Sequence, residues 1–221
     1  MTDARAISHV VIALDGPAAS GKSSVARELA RRLGFVYVNS GAMYRAVTWH
    51  LLQTGIDLQN VDLIEKEIGR MRIDCDVHNH ESRIVINGVD PAAHLRDETV
   101  NKSVSLVSSC PRVRQVLVEK MRSYLRNHDL VMEGRDIGSI VFPNTPFKFY
   151  IDAPPEVRHQ RRVTQGQQDE IATRDQADSS RQTSPLVVGK DAEVIDTSKL
   201  SIQEVVDLLV RRLREKGFDR E

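Results

Sequence analysis

The chain has 221 residues, enough for one sizeable core with modest insertions. Its 31 Lys+Arg residues balance 31 Asp+Glu, for a formal net charge of +0, which argues against a nucleic-acid coat or a protein that lies on a membrane surface. Composition is that of a globular chain, 40% hydrophobic and 28% charged, and its two cysteines, Cys75 and Cys110, lie far apart and outside any C-x-x-C pattern, as expected for reduced thiols in the cytoplasm.

Residues 9–14 (HVVIAL) form a short β-branched run, the pattern of a buried strand. The run is too short for a signal peptide and stops at Asp15, and no apolar stretch in the chain reaches the length of a membrane span. A glycine-rich loop follows. Then Val25, Leu29 and Leu33 recur at helical spacing up to Gly34. Residues 35–38 (FVYV) read as a second strand, so the chain starts as a parallel α/β sheet. Residues 42–53 are helical in pattern and stop at Gly55, and Asn60 is placed to cap a short helix carrying Leu63, Ile64 and Ile68. The period then changes. Ile73, Cys75, Val77, Ile84 and Ile86 alternate about a polar turn, which predicts a β-hairpin outside the main sheet.

Helical pattern returns near residue 96, and Pro111 suits the first turn of a helix running to about Asn127. Residues 129–134 (DLVMEG) and 147–153 (FKFYIDA) are further strands. Arg158 to Arg181 is polar, with little apolar periodicity, and is expected to be exposed and mobile. Residues 192–198 give a last strand, and Ser201 with Glu204 predicts a capping box on the final helix.

The glycine-rich loop fits G-x-x-x-x-G-K-[ST] at every fixed position: Gly16, Pro17, Ala18, Ala19, Ser20, Gly21, Lys22, Ser23, with Ser24 next. Glycines let the backbone wrap so that several N–H groups face one concavity, and the following helix adds its positive end. Lys22 would reach the β- and γ-phosphates of a nucleotide from a solvent-facing position, and the Ser23 hydroxyl would ligate Mg²⁺. A GTPase is disfavoured, because residues 101–104 (NKSV) lack the Asp of a guanine-reading N-K-x-D.

Residues 38–45 (VNSGAMYR) leave the rim of the sheet on which the phosphate loop lies. Ser40 can donate to an anion and Arg45 can fork onto it. Residues 131–138 (VMEGRDIG) end another rim strand with Glu133, Arg135 and Asp136, a costly place for charge unless the charge is used. Arg174, Asp178 and Arg181 share one helical face by their spacing.

Taken together and in this order, DGPAASGKSS, NSGAMYRAV, PRVRQ, EGRDIGSIVFP, RDQADSSR and SPLV resemble the bacterial-type cytidylate kinase family over nearly the whole chain. The resemblance implies a P-loop nucleoside monophosphate kinase fold: α/β, a five-stranded parallel sheet flanked by helices, a monophosphate-binding insertion and a short mobile lid. It places the core at residues 1–40, 96–157 and 182–221, the insertion with its hairpin at 41–95, and the lid at 158–181. It implies ATP + (d)CMP → ADP + (d)CDP with Mg²⁺. By matching position, Ser40, Arg45, Arg135 and Arg181 would bind the acceptor phosphate, Ser105, Arg114 and Asp136 would read cytosine, and Arg174 and Asp178 would approach the pentose. Lys22, Arg135, Arg174 and Arg181 would carry the transfer. Apart from the resemblance, Glu133 reads as holding an Mg²⁺-bound water, as a brace for Arg114, or equally as a purely structural partner. The family usually has Asp where this chain has Asn39, and many relatives have a longer lid.

The expected partners are ATP and CMP or dCMP, with no nucleic-acid polymer and no membrane, and the chain is expected to act as a monomer. Other readings are a kinase for UMP or another small acceptor, and an ATP-binding regulatory module. His78 and His80 read as exposed turn residues, and Tyr44 and Trp49 as packing residues.

Overall fold

The computed structural model describes residues 9–164, 171–181 and 184–219, without the side chains of Ile171, Ala172 and Arg174. Strand β1 (Val11–Asp15) enters the loop that ends at helix α1 (Lys22–Leu33), and β2 (Val36–Asn39) follows. Helices α2 (Ser40–Thr54) and α3 (Val61–Ile68) lead to the hairpin β3 (Ile73–His78) and β4 (Glu81–Ile86). After a 3-10 turn at Ala92–His94 come α4 (Glu98–Ser109) and α5 (Pro111–Tyr124). Strand β5 (Leu130–Gly134), a π-helical turn at Ile137–Val141 and strand β6 (Lys148–Asp152) follow. Helices α6 (Pro155–Thr164) and α7 (Ile171–Ser179), strand β7 (Glu193–Asp196) and helix α8 (Ile202–Glu215) complete the order.

The sheet runs β3-β4-β2-β5-β1-β6-β7. Its five strands β2, β5, β1, β6 and β7 pair in parallel, as expected. The hairpin corrects one expectation. It does not stand apart but joins the β2 edge through the Tyr37↔Glu81 register pair and the Tyr37 N–H to His80 carbonyl bond of 2.8 Å, which extends the sheet to seven strands. An edge strand exposes unpaired N–H and C=O groups, and the hairpin covers them.

Alternation along the central strands divides the core. Val11 and Ala13 of β1, Leu130 and Met132 of β5, and Val36 and Val38 of β2 face the side covered by α2 to α5. Ile12, Leu14, Val131 and Tyr37 face α1 and α8, where Leu29, Val206 and Leu209 meet them. Both faces are thus apolar, as a parallel sheet between two helical layers requires. Burying each Val, Leu, Ile or Met side chain among these contributes about 1.5–3 kcal/mol.

The helix ends follow the signals in the sequence. Asn60 accepts from the Leu63 N–H, and the Ser201–Glu204 capping box is formed on α8. Gly34 and Gly55 adopt left-handed φ of 67° and 70° to close α1 and α2.

The segment from 158 onward differs from its polar reading. It is helical on both sides of residues 165–170, which lie outside the described residues, and Arg158 and Asp178 are buried. Burial here rests on ion pairs rather than on an apolar stripe. Arg158 pairs with Asp175, and Asp178 pairs with both Arg135 and Arg181. Apolar periodicity carries no trace of such contacts.

Candidate active site

The carboxyl ends of β1, β2 and β5 share one rim, and the loops leaving them line a cleft of about 720 Å³. That volume suits a small-molecule ligand.

The phosphate loop forms its first wall. Gly16 has φ 151°, and a Cβ there would collide with the Ile151 carbonyl oxygen, so no side chain fits. Ala19 and Gly21 also take positive φ, 58° and 92°. These turns bring the backbone round to the N-terminus of α1. Lys22 is not solvent-facing as expected. It lines the cleft yet is only 6% exposed, and its ammonium donates to the Pro17 carbonyl at 3.0 Å. The Ser23 hydroxyl donates to Glu133 Oε1 at 2.7 Å, and Tyr37 Oη donates to the same oxygen at 3.2 Å. A serine hydroxyl beside a carboxylate is the hard-oxygen donor set Mg²⁺ takes, so Ser23 and Glu133 fit that ion. Glu133 does not brace Arg114, which is held elsewhere.

Ser40 and Arg45 project from the start of α2. Ser40 Oγ donates to the Glu133 carbonyl at 2.8 Å. This approach needs Gly134, where a Cβ would lie 2.5 Å from Ser40 Oγ. Arg45 donates to the Gly41 carbonyl at 3.0 Å and reaches Asn101 Oδ1 at 3.4 Å. Asn39 caps α2: its side-chain oxygen accepts from the Ala42 N–H at 2.9 Å.

The far wall is a network of opposed charges. Arg114 on α5 pairs with Asp136, both buried, and also donates to the Ser108 carbonyl at 3.2 Å. Asp178 on α7 bridges two arginines: Arg135 Nε donates to it at 2.8 Å, and Arg181 pairs with its other oxygen. Arg181 also donates to Ser108 Oγ at 2.8 Å. Burial lowers the Arg181 pKa, Asp178 opposes that shift, and Arg114 and Arg135 add to it. Ser105, on α4, lines the cleft beside Ser108. The Arg174 side chain lies outside the described residues. The structure therefore gathers Ser40, Arg45, Ser105, Arg114, Arg135, Asp136, Asp178 and Arg181 about one cleft with Lys22 and Ser23.

A family model described as cytidylate kinase matches residues 12–215. The chain belongs to the cytidylate kinase family. Among its relatives, the cytidylate kinase of Caldanaerobacter subterraneus subsp. tengcongensis is 38% identical over 217 residues, covering 93% of this chain and 95% of the relative. That of Streptomyces avermitilis is 37% identical, covering 96% of each. That of Mycobacterium leprae is 38% identical, covering 96% of this chain and 98% of the relative. Among the described residues, no helix is long and apolar enough to cross a membrane.

Several site residues were not singled out in the sequence. Asp15 ends β1 directly before Gly16. Its carboxylate is buried and accepts from the Ile137 and Gly138 N–H groups, both at 2.7 Å. Burial pushes its pKa up to about 7; the two N–H bonds and Lys22 oppose that rise and Asp136 adds to it. One carboxylate thus ties the phosphate loop's strand to the loop that carries Arg135 and Asp136. The signal was available: a charge ending a buried strand, the same sign that drew attention to residues 133–136. Ser108, which serves two arginines, had no such sign. Asp175 accepts from the Ala18 N–H at 3.1 Å, while Arg158 donates to the Ala18 carbonyl at 3.2 Å, so α6 and α7 both touch the phosphate loop. Arg161 adds a bond to the Ser20 carbonyl at 3.0 Å.

Proposed function

We propose that the chain transfers the γ-phosphate of ATP to CMP or dCMP, giving ADP and CDP or dCDP, by in-line displacement without a general base. Membership of the cytidylate kinase family makes it an ATP-dependent phosphotransferase acting on CMP or dCMP. The observation that carries the residue-level reading is the cleft itself, with a phosphate loop at one wall and a buried Arg114–Asp136 pair at the other.

The acceptor is a phosphate whose second pKa is about 6, so it is largely dianionic at neutral pH and needs no base to attack. Catalysis then consists of positioning and of spreading charge over preplaced cations. The phosphate-loop N–H groups and Lys22 hold the donor phosphates. Mg²⁺, when bound by Ser23 and by Glu133 through water, supplies further neutralisation of the transferred group. Ser40, Arg45, Arg135 and Arg181 hold the acceptor phosphate opposite it. Asp178 keeps Arg135 and Arg181 aimed before the substrate arrives, which lowers the cost of ordering them. Arg174, on α7, approaches the pentose with Asp178 and completes the closed site.

At the base, a carboxylate accepts only. Asp136 favours the exocyclic amino group of cytosine and repels the carbonyl that uracil places there. Arg114 donates to cytosine N3 or O2, and Ser105 serves either edge. The Arg114–Asp136 pair presents a fixed donor beside a fixed acceptor. We assign residues 41–95 to the monophosphate-binding insertion, 158–181 to the lid and the remainder to the core, in a chain acting as a cytoplasmic monomer.

The test is ADP release, measured by a coupled assay, against CMP, dCMP, UMP and non-nucleotide phosphate acceptors. CMP and dCMP should lead by at least an order of magnitude in kcat/KM. Equal turnover of UMP overturns the base assignment, and ATP binding without transfer to any acceptor overturns the kinase reading.

A further inference from the structure

We propose that the phenol hydroxyl of Tyr44 is a hydrogen-bonding ligand of the acceptor nucleotide, on the base side of the cleft. The proposal rests on the acceptor site described above. Tyr44 lies on α2 directly before Arg45, lines the cleft and is 6% exposed. The Arg114 guanidinium carbon lies 5.4 Å from its ring centroid, and Asp136 and Arg181 are its other charged neighbours.

Its hydroxyl is buried and has no hydrogen-bond partner among the described residues. The fold treats two other buried phenols differently. Tyr37 Oη donates to Glu133 and accepts from Asn39, and Tyr124 Oη reaches the Asp76 and Arg83 carbonyls at 3.4 and 3.2 Å. A buried hydroxyl left without a partner is destabilising, and phenylalanine would fill the same space without it. If packing were the whole role of Tyr44, its oxygen would be a liability. A ligand in the cleft removes that liability. Burial raises the phenol pKa, so the group stays protonated and can both donate and accept. Its ring lies against Arg114, which is paired with Asp136, so the hydroxyl belongs with the base-reading pair rather than with the arginines of the acceptor phosphate.

Tyr44→Phe deletes one oxygen and keeps the ring. Unliganded, the variant should melt at or above the wild-type temperature. Its affinity for CMP, read by calorimetry, should fall about 5–10-fold, the worth of one neutral hydrogen bond. The loss should appear in the KM for CMP rather than in kcat, with ATP affinity unchanged. Ribose 5-phosphate, which keeps sugar and phosphate without the base, should bind both proteins alike. Unchanged CMP affinity, or a lowered melting temperature of the unliganded variant, overturns the proposal. Equal loss for ribose 5-phosphate moves the bond to the phosphate and overturns the base-side assignment. If wild type itself fails to bind CMP, the functional reading falls and this one with it. Normal wild-type binding with an indifferent variant overturns the Tyr44 role alone.

Discussion

The two walls of the cleft are built by different means. The phosphate loop is nine consecutive residues, 16–24, and acts mainly through backbone shaped by Gly16, Ala19 and Gly21. The wall proposed to hold the acceptor draws Ser40 and Arg45 from α2, Ser105 and Ser108 from α4, Arg114 from α5, Arg135 and Asp136 from the β5 exit, and Asp178 and Arg181 from the α7 region. There the working parts are side chains, and the Arg114–Asp136 and Arg135–Asp178 pairs each join two different elements. A contiguous backbone site tolerates change outside its few fixed positions. A network assembled from five elements has its specificity in the pairings, so single substitutions should redirect it rather than abolish it.

The sharpest way to break this comparison is Lys22→Ala. Loss of a charge that stabilises the transferring phosphoryl group lowers kcat by about 10²–10³-fold. Lys22 is nearly buried, so its stem also packs, and a modest fall in melting temperature is expected as well. A kcat near wild type in folded protein would mean the loop does not stabilise the transfer.

The acceptor wall should respond in kind rather than in amount. Asp136→Asn leaves Arg114 buried without its anion, so stability falls, by about 3–5 kcal/mol if the amide compensates little. The ratio of kcat/KM for CMP to that for UMP is independent of the folded fraction and isolates the base. The amide can rotate to donate, so this ratio should shrink by about 10-fold or more, in line with roughly 1–3 kcal/mol for one mismatched polar contact. An unchanged ratio would remove Asp136 from base reading.

These two walls were not equally legible. Local signals carried the glycine loop, the α3 and α8 caps and the central strands, because glycine spacing, capping residues and two-residue alternation act within a few residues of themselves. Arg135 and Asp136 were legible as charges at the end of a buried strand, and family resemblance pointed to the other residues that line the cleft with them. The pairings were not legible: nothing in residue spacing says that Arg114 meets Asp136, or that Ser108 serves both Arg114 and Arg181. The burial of Arg158 and Asp178 was missed for the same reason. The place of the hairpin was missed because alternation predicts a strand but not its neighbour.

Asp15 joins the two walls, and its titration tests how tightly. Its folded pKa stands at about 7, above its ordinary value of 3.8. The sign follows from linkage: a raised pKa means the folded state holds the proton more tightly, so the stability it contributes is complete below about pH 4 and is lost as pH rises through 7. The groups facing it are Lys22 from α1, Asp136 beyond β5, Tyr150 on β6 and the Ile137 and Gly138 N–H groups. Asp15→Asn keeps one acceptor and turns an NH₂ toward the other N–H, so the variant is less stable throughout. It lacks the ionisation, however. The gap in unfolding free energy between the two proteins should therefore narrow from pH 5 to pH 8. A gap that is constant or widens would place the pKa of Asp15 near its ordinary value.

The smallest effect should come from Asn39→Asp, the exchange toward the residue that the family resemblance leads one to expect there. As a cap for α2 the two side chains are equivalent, since each offers an oxygen to the Ala42 N–H, whereas Asn39→Ala should cost about 1 kcal/mol. The difference lies on the other side of the residue. The Asn39 amide donates to Tyr37 Oη at 3.2 Å, and that phenol donates to Glu133. A carboxylate at position 39 cannot donate. It would compete with Glu133 for the single phenol proton and set a second negative charge near it. Without metal, Asn39→Asp should therefore lower stability slightly, by a few tenths of a kcal/mol, and the loss should grow weaker as salt screens the repulsion. Urea unfolding at low and high salt decides the matter. A loss as large as that of Asn39→Ala would show that the cap itself had failed, and a salt-independent loss would show that the two carboxylates do not face each other through Tyr37.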